Sequence, residues 1–266
     1  RALSNVCLHH GTCVAKGRGK TQVFVCPYHA WNYDLDGTLK RTPGVEVPKS
    51  LRSHGLKPFA VKQAGPLYLI NFSEEAESSP IEKMLEHFDF TGYAFKKRVT
   101  YNVPCNWKVF VDNYLDGGYH VPHMHRDLTK SIDMKSYKTE VFDEFVLQSS
   151  GGGSDRLEGG ALYGWAYPNF MINRYGNWID TNWVLPTGTN TCDVVFDYFY
   201  KGEISDKDLE KQLRDSDQVQ REDDEVCQMV QKGLESGDYH TGVYVPEFEK
   251  GMHHFHKMLV KDFDLN

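Results

Sequence analysis

Cys7-Leu8-His9 and, sixteen residues further on, Cys26-Pro27-Tyr28-His29 are the two runs from which the fold can be read. Each offers one thiol and one imidazole, both good ligands for iron or zinc, so two loops can close on one metal centre. A four-ligand zinc site is the simpler reading, but zinc clips commonly pair like with like, two Cys on one run and two His on another. One Cys and one His on each loop instead suit a [2Fe–2S] centre with two thiolates on one iron and two imidazoles on the other, at roughly −150 to +300 mV. Cys13 and His10 are extra, Cys13 being read as a packing residue or a free thiol.

The remaining composition is ordinary for a globular chain. Of 266 residues 40% are hydrophobic and 25% charged, and 30 Lys and Arg against 37 Asp and Glu leave a net charge of −7; this argues against a disordered or fibrous chain. That mild acidity offers no electrostatic footprint for nucleic acid or an anionic membrane, so neither is an expected partner. No apolar run approaches the roughly 20 residues of a spanning helix. Six cysteines are too few for a disulfide scaffold at this length. The chain starts at Arg1 with nothing like a signal or transit peptide, so it is expected to be processed or truncated.

Outward from the Cys–His runs, residues 1 to about 75 read as all-β. Extended runs at Thr21–Val25, Ala60–Lys62 and Leu67–Phe72 alternate with turns at Asp36-Gly37, Pro43-Gly44 and Gly65-Pro66. The polar stretch Ser73–Pro80 is the candidate linker, dividing the chain into domains 1–78 and 79–266. Ile81–Phe88 predicts a helix, Val99–Val103 a strand, and Asn106–His120 a second helix with Trp107, Phe110, Val111, Tyr114 and Leu115 at helical spacing. Gly151–Gly153 with Ser154 predicts an exposed loop. Aromatic and β-branched runs at Glu144–Gln148, Ala161–Tyr167, Phe170–Arg174, Trp178–Leu185 and Cys192–Tyr200 predict an antiparallel sheet. Ser205–Ser236 reads as a long charged helix capped by Ser205. The fold class is α+β.

A second chemical cluster lies in Asp112-Asn113-Tyr114-Leu115-Asp116-Gly117-Gly118-Tyr119-His120-Val121-Pro122-His123-Met124-His125. Open-site non-haem Fe(II) uses two histidines and one carboxylate, leaving positions free for oxygen and water. On one continuous helix His120 and His125 would point roughly 140° apart. Pro122 is expected to end the helix near His120, letting His125 return to the same metal. His123, three residues after His120, is the competing ligand. The acidic run Glu222-Asp223-Asp224-Glu225 would by itself be a solvated helix face.

The two Cys–His runs, with Trp31 and the turn from Tyr33 to Gly37, resemble the Rieske domain. One unpaired extra cysteine favours its oxygenase type over the respiratory type, whose loops share a disulfide. The resemblance implies that Cys7, His9, Cys26 and His29 bind the cluster and that the domain's first strands are absent. The second segment is similar to the mononuclear iron site of Rieske oxygenases, N-x-x-x-x-x-Y-H-x-x-x-x-H, with Asn113, Tyr119, His120 and His125 in those slots. That match selects His125 over His123. The family's late helix, E-D-x-x-x-C-x-x-x-Q-x-G, matches 222–233 and implies Asp223 as the third ligand, with Asp224 in reserve. Catalytic roles are implied for Asn113 and Asp116. The family's bridging acid sits three residues before the first His, a slot filled by Gly117, whereas Asp116 stands four before, one helical turn from His120.

Asp112–Pro122, Gln231–Ser236 and Glu249–His256 look like the plant-type choline monooxygenase family. The resemblance implies a small Rieske domain followed by a helix-grip (Bet v 1/START-like) catalytic domain. It further implies oxidation of choline to betaine aldehyde with O2 and electrons from reduced ferredoxin or a reductase. A homo-oligomer, usually a trimer, and a soluble protein of the chloroplast stroma, or otherwise the cytoplasm, are also implied. Carnitine or betaine N-demethylation, ring hydroxylation, and pure electron transfer are the alternatives. A quaternary ammonium favours an aromatic cage, and Trp165, Tyr167, Phe170, Trp178 and Trp183 are the candidates. His253, His254 and His256 are assigned to a C-terminal helix at a surface or subunit contact, without metal.

Overall fold

The computed structural model describes residues 1–47, 49–51, 53–72, 79–125, 132–152 and 160–264. The chain divides into two compact units, 1–77 and 78–266. Most of the expected linker, residues 73–78, lies outside the described residues. Its last two residues belong to a helix start instead: Ser79 caps α1 (Pro80–Leu85) in a reciprocal capping box with Glu82, and Pro80 takes the first turn.

The first unit is all-β. Strands β1 (Ala2–Leu3), β5 (Pro58–Ala64) and β6 (Leu67–Asn71) form one three-stranded sheet, and β2 (Phe24–Val25), β3 (Asn32–Tyr33) and β4 (Leu39–Arg41) form another. Strands so short are held by what they enclose. Trp31, Tyr33, Leu39 and Leu56 bury around Cys7, Val14 and Cys26, so the core of this unit is also the floor of its two Cys–His loops.

The second unit is built on one antiparallel seven-stranded sheet in the order β7-β13-β12-β11-β10-β9-β8. Its strands are β7 (Tyr93–Val103), β8 (Ile132–Val141), β9 (Phe145–Gly152), β10 (Ala161–Ala166), β11 (Phe170–Tyr175), β12 (Trp178–Gly188) and β13 (Thr191–Lys201). All five runs expected in the sheet begin within a residue of their strands, while β8 is absent from the sequence reading; its Asp-Met-Lys-Ser-Tyr-Lys sequence carries too many charges to signal burial. Gly151 and Gly152, expected in a loop, extend β9, and 153–154 are not described. Helices α2 (Trp107–Tyr114), α3 (Val121–Met124), α4 (Asp206–Glu235) and α5 (Lys250–Asp262) complete the unit. Leu209, Leu213 and Cys227 of α4 and Phe255 and Leu259 of α5 join Trp165, Trp178, Phe196 and Tyr198 of the sheet in one core.

The expected helix over Asn106–His120 is shorter and broken differently. Helix α2 stops at Tyr114, and Gly117 and Gly118 follow with φ of +71° and +74°, a left-handed region that glycine alone enters without penalty. Pro122 does not end a helix; it lies in the first turn of α3, where its missing N–H costs nothing. The glycine pair, not the proline, turns the chain. At Gly117 there is also no room, since a Cβ would lie 2.2 Å from the Phe248 carbonyl oxygen.

Two glycine substitutions should therefore act in opposite directions. Gly117→Ala is expected to lower the denaturant midpoint by about 1–3 kcal/mol of stability. Gly233→Ala, inside α4 with open space around it, should raise it by roughly 0.5–1 kcal/mol.

Candidate functional site

The two Cys–His loops of the first unit are folded alike. In each, the residue four after the cysteine donates back to its carbonyl, Gly11 to Cys7 at 2.9 Å and Ala30 to Cys26 at 3.0 Å. Both donors take positive φ, +72° and +54°, which is strained for the alanine. The turns push Cys7 and Cys26 inward, each 2% exposed, and leave His9, His10 and His29 outside. The imidazoles converge: the donor atoms of His9, His10 and His29 lie within 4.8 Å of one another. His9 stacks on Trp31 with ring centroids 4.6 Å apart.

Electrostatics prepare both ligand types. Burial alone would raise the Cys7 thiol, but hydrogen bonds from the Tyr33 hydroxyl (3.1 Å), the backbone of His9 and His10, and Cys26 outweigh it and hold Cys7 below its ordinary range. A thiolate is thereby favoured, the form that ligates metal. His9 is pushed down by desolvation among its neighbours and by the charges of His10 and His29, favouring the neutral imidazole.

In the second unit three donor atoms meet. His125 Nε2 lies 3.2 Å from His120 Nε2 and 3.1 Å from Asp223 Oδ1, and His120 Nε2 lies 3.6 Å from that same oxygen. The Gly117-Gly118 turn presents His120, the single turn of α3 brings His125 round, and α4 supplies Asp223. Neither competitor is in this group: Asp224 accepts a hydrogen bond from Gln220, and His123 is exposed. Burial pushes the Asp224 carboxyl up to about 6 despite that bond.

Each imidazole is held from behind. Asp116 bonds His120 Nδ1 and accepts from the backbone N–H of Gly118 and His120 at 2.8 and 3.0 Å. The contact expected across one helical turn is thus made in a glycine turn. Glu222 bonds His125 Nδ1 at 2.7 Å, and Asn113 donates to Asp223 Oδ1 at 2.8 Å. His125 is 2% exposed. Burial lowers its affinity for a proton, yet Asp223 and Glu222 more than offset this and raise it to about 9.

These donors open onto a cavity of about 170 Å³, more than ten times the roughly 10–15 Å³ that one water needs. Its walls are Tyr114, Tyr137, Tyr163, Tyr175, Phe110 and Phe196. None of the five aromatics expected to form a cage is there. Phe170 and Trp183 pack against each other with ring centroids 4.7 Å apart and the rings tilted; alternation puts them on the face of the sheet opposite Asn173 and Asn182, which line the cavity. Trp165, Trp178 and Tyr167 lie further along, in or against the core beside Phe255 and Tyr198.

The Rieske [2Fe-2S] domain family matches residues 1–56, and the ring hydroxylating alpha subunit (catalytic domain) family matches residues 90–263. The chain belongs to the Rieske oxygenase alpha subunits. It is 43% identical, over 97% of its length, to the chloroplastic choline monooxygenase of Arabidopsis thaliana, and 30% identical over 99% to the carnitine monooxygenase oxygenase subunit of Escherichia coli K12. It spans 67% of the Arabidopsis protein, 62% of the Beta vulgaris choline monooxygenase and 78% of the E. coli subunit. Among solved structures it resembles the quaternary ammonium Rieske monooxygenase CntA in complex with an inhibitor, with a TM-score of 0.80 and 25% identity over 97% of this chain and 77% of that one.

A Rieske oxygenase alpha subunit carries a [2Fe–2S] cluster and a mononuclear non-haem iron. The donor sets fit both groups. Two buried thiols on one side and exposed imidazoles on the other match a two-iron cluster better than one tetrahedral ion, and two imidazoles with one carboxylate match open-site iron. His10, extra to the two Cys–His runs in the sequence reading, sits with the imidazoles. Glu222, in sequence one member of an acidic run, supports His125 from the position next to Asp223. His256 is not a plain surface residue: Nε2 bonds Asp112 Oδ1 at 2.7 Å and so ties α5 to α2 beside Asn113. No helix among the described residues is long and apolar enough to cross a membrane.

Because His125 holds its proton more tightly in the folded metal-free protein, that contribution is complete below pH about 6.5 and is lost as pH rises through about 9. Unfolding midpoints of metal-free protein should fall across this window by on the order of 3 kcal/mol. Glu222→Gln should shrink the fall.

Proposed function

We propose that this chain is the oxygenase component of a monooxygenase that converts choline to betaine aldehyde. The observation that carries the reading is the tyrosine-walled cavity opening onto His120, His125 and Asp223, in a chain so similar to choline monooxygenases. In this reading Cys7, Cys26, His9 and His29 hold the cluster, and His120, His125 and Asp223 hold the mononuclear iron. When bound, these groups supply single-electron delivery and oxygen activation, chemistry that belongs to the cofactors.

The chain's own residues orient and enclose. Asp116 and Glu222 fix the two imidazole rings with Nε2 facing inward, and Asn113 aims Asp223. The aromatic walls exclude water and offer π faces to a cation, each contact contributing about 0.5–2 kcal/mol. Hydroxylation at the carbinol carbon puts one atom of O2 into a C–H bond. The resulting hydrate loses water to give the aldehyde, and two electrons and two protons carry the other oxygen atom to water. The electrons come from reduced ferredoxin or a reductase. A homo-oligomer, a trimer by family resemblance, and a chloroplast stromal location complete the proposal.

Oxygen uptake with choline, carnitine, glycine betaine and an aromatic acid, driven by reduced ferredoxin, tests the substrate. Choline-dependent betaine aldehyde is expected; turnover of carnitine alone would assign the chain to carnitine oxidation, the activity suggested by its 30% identity to a carnitine monooxygenase subunit. His125→Ala should lower iron from about three to about two per chain with the Rieske EPR signal intact. The same loss from His123→Ala, with His125→Ala unaffected, would reverse the ligand assignment.

A further inference from the structure

The tyrosine hydroxyls around the cavity are not equivalent. Tyr114 donates to Asn173 Oδ1 at 2.7 Å, and Tyr175 donates to Asp180 Oδ2 at 2.8 Å. Tyr137, on β8, lines the same cavity, yet its hydroxyl has no hydrogen-bond partner among the described residues. Its ring stacks with that of Tyr163, centroids 6.4 Å apart, beside the small apolar cluster of Val121 and Ala161. At Gly118 an added Cβ would lie 3.1 Å from both Cε2 and Cζ of Tyr137. Cζ carries the hydroxyl, so the polar end of this side chain rests over the glycine turn that presents His120. Burial, with Tyr163 and the negative Asp116 nearby, pushes Tyr137 well above the ordinary phenol range, so it keeps its proton at physiological pH.

A protonated phenol can donate one hydrogen bond and accept others, and a buried polar group left without a partner is costly. Choline offers one group that can meet it. The methyls of a trimethylammonium neither donate nor accept, whereas the hydroxyl does both. The two ends of the molecule therefore sort themselves in this cavity: the cation lies against aromatic faces, and the alcohol oxygen goes to the free phenol. The carbinol carbon is bonded to that oxygen. Holding the oxygen over the Gly118 turn therefore brings this carbon, and not a methyl, beside His120.

We infer that the Tyr137 hydroxyl is a specificity-determining group that holds the substrate's alcohol oxygen and so presents the carbinol carbon, not an N-methyl carbon, to His120, His125 and Asp223. The inference rests on the proposed reading that choline is the substrate, and names the contact that orients it. The two orientations differ in product. One oxygen atom inserted at the carbinol carbon gives the hydrate of betaine aldehyde. Inserted at an N-methyl carbon, it gives an N-hydroxymethyl group that separates into formaldehyde, a proton and the tertiary amine dimethylaminoethanol. In both cases two electrons and two protons carry the second oxygen atom to water.

The test compares choline with propyltrimethylammonium, which carries the same charge and a methyl in place of the hydroxyl, by equilibrium binding to the metal-loaded protein. Tyr137→Phe removes one oxygen atom and keeps the ring. It should lower the ratio of choline affinity to propyltrimethylammonium affinity by about 3–10-fold, the worth of one buried hydrogen bond, with iron content and the Rieske EPR signal unchanged. In turnover with choline, the variant should release a larger share of formaldehyde per O2 consumed than wild type. An unchanged affinity ratio would overturn the inference, including the case where both ligands weaken equally because Tyr137 is only a wall. If the variant does not fold, the wild-type products decide: betaine aldehyde alone supports the inference, and formaldehyde in comparable amount overturns it. A ratio that falls as expected in a protein that does not turn choline over would support the contact while removing choline as substrate. Betaine aldehyde formation by wild type, with the ratio unchanged in Tyr137→Phe, would keep the substrate and remove the contact.

Discussion

Three electron-pair donors held together at 3.1 to 3.6 Å are the constraint around which the second unit is organised. Two imidazole nitrogens and a carboxylate oxygen at that spacing repel unless a proton or a cation lies among them. The fold must therefore resist the separation these groups would choose by themselves. It does so with rigid supports: an eight-residue helix stopped by two left-handed glycines, a single turn after it, and a 30-residue helix packed on the sheet. The raised proton affinity of His125 is the same repulsion seen from the side of the proton.

The support extends one layer outward. Asp116 behind His120 and Glu222 behind His125 each take the ring nitrogen that does not face inward. This leaves the inward-facing Nε2 of each ring as the candidate metal donor and raises its basicity. Glu222 is itself held by Gln218 at 2.9 Å, so the order of residues along α4 sets the geometry at His125. The first unit solves its own version of the problem differently. Two turns of the same kind bury the thiols and expose the imidazoles, dividing the soft candidate donors from the neutral ones.

The candidate metal-binding parts of the chain were the most legible in the sequence. Cys7, His9, Cys26 and His29 advertise themselves by residue type and spacing, and the structure gathers His120, His125 and Asp223 where the family pattern implied. The cavity was much less legible. A strand reading Trp178-Ile179-Asp180-Thr181-Asn182-Trp183 puts Asp180 and Asn182 on one buried face, a polar pair where apolar residues were expected, yet the bulky tryptophans drew attention as the cage. Phe170 and Trp183 failed as cage residues because strand alternation turns them to the other face.

The amino-acid order alone determined the candidate donor types, the two-part architecture and most strand positions in the larger sheet, because these follow from local spacing, turn chemistry and periodicity. Only the tertiary structure decided which side chains face the cavity, that the glycines rather than the proline turn the chain at 117–118, and that Glu222 stands behind His125. The last of these joins residues 97 positions apart, His125 and Glu222. Such pairings are set by how a long helix packs on a sheet, which no local pattern encodes.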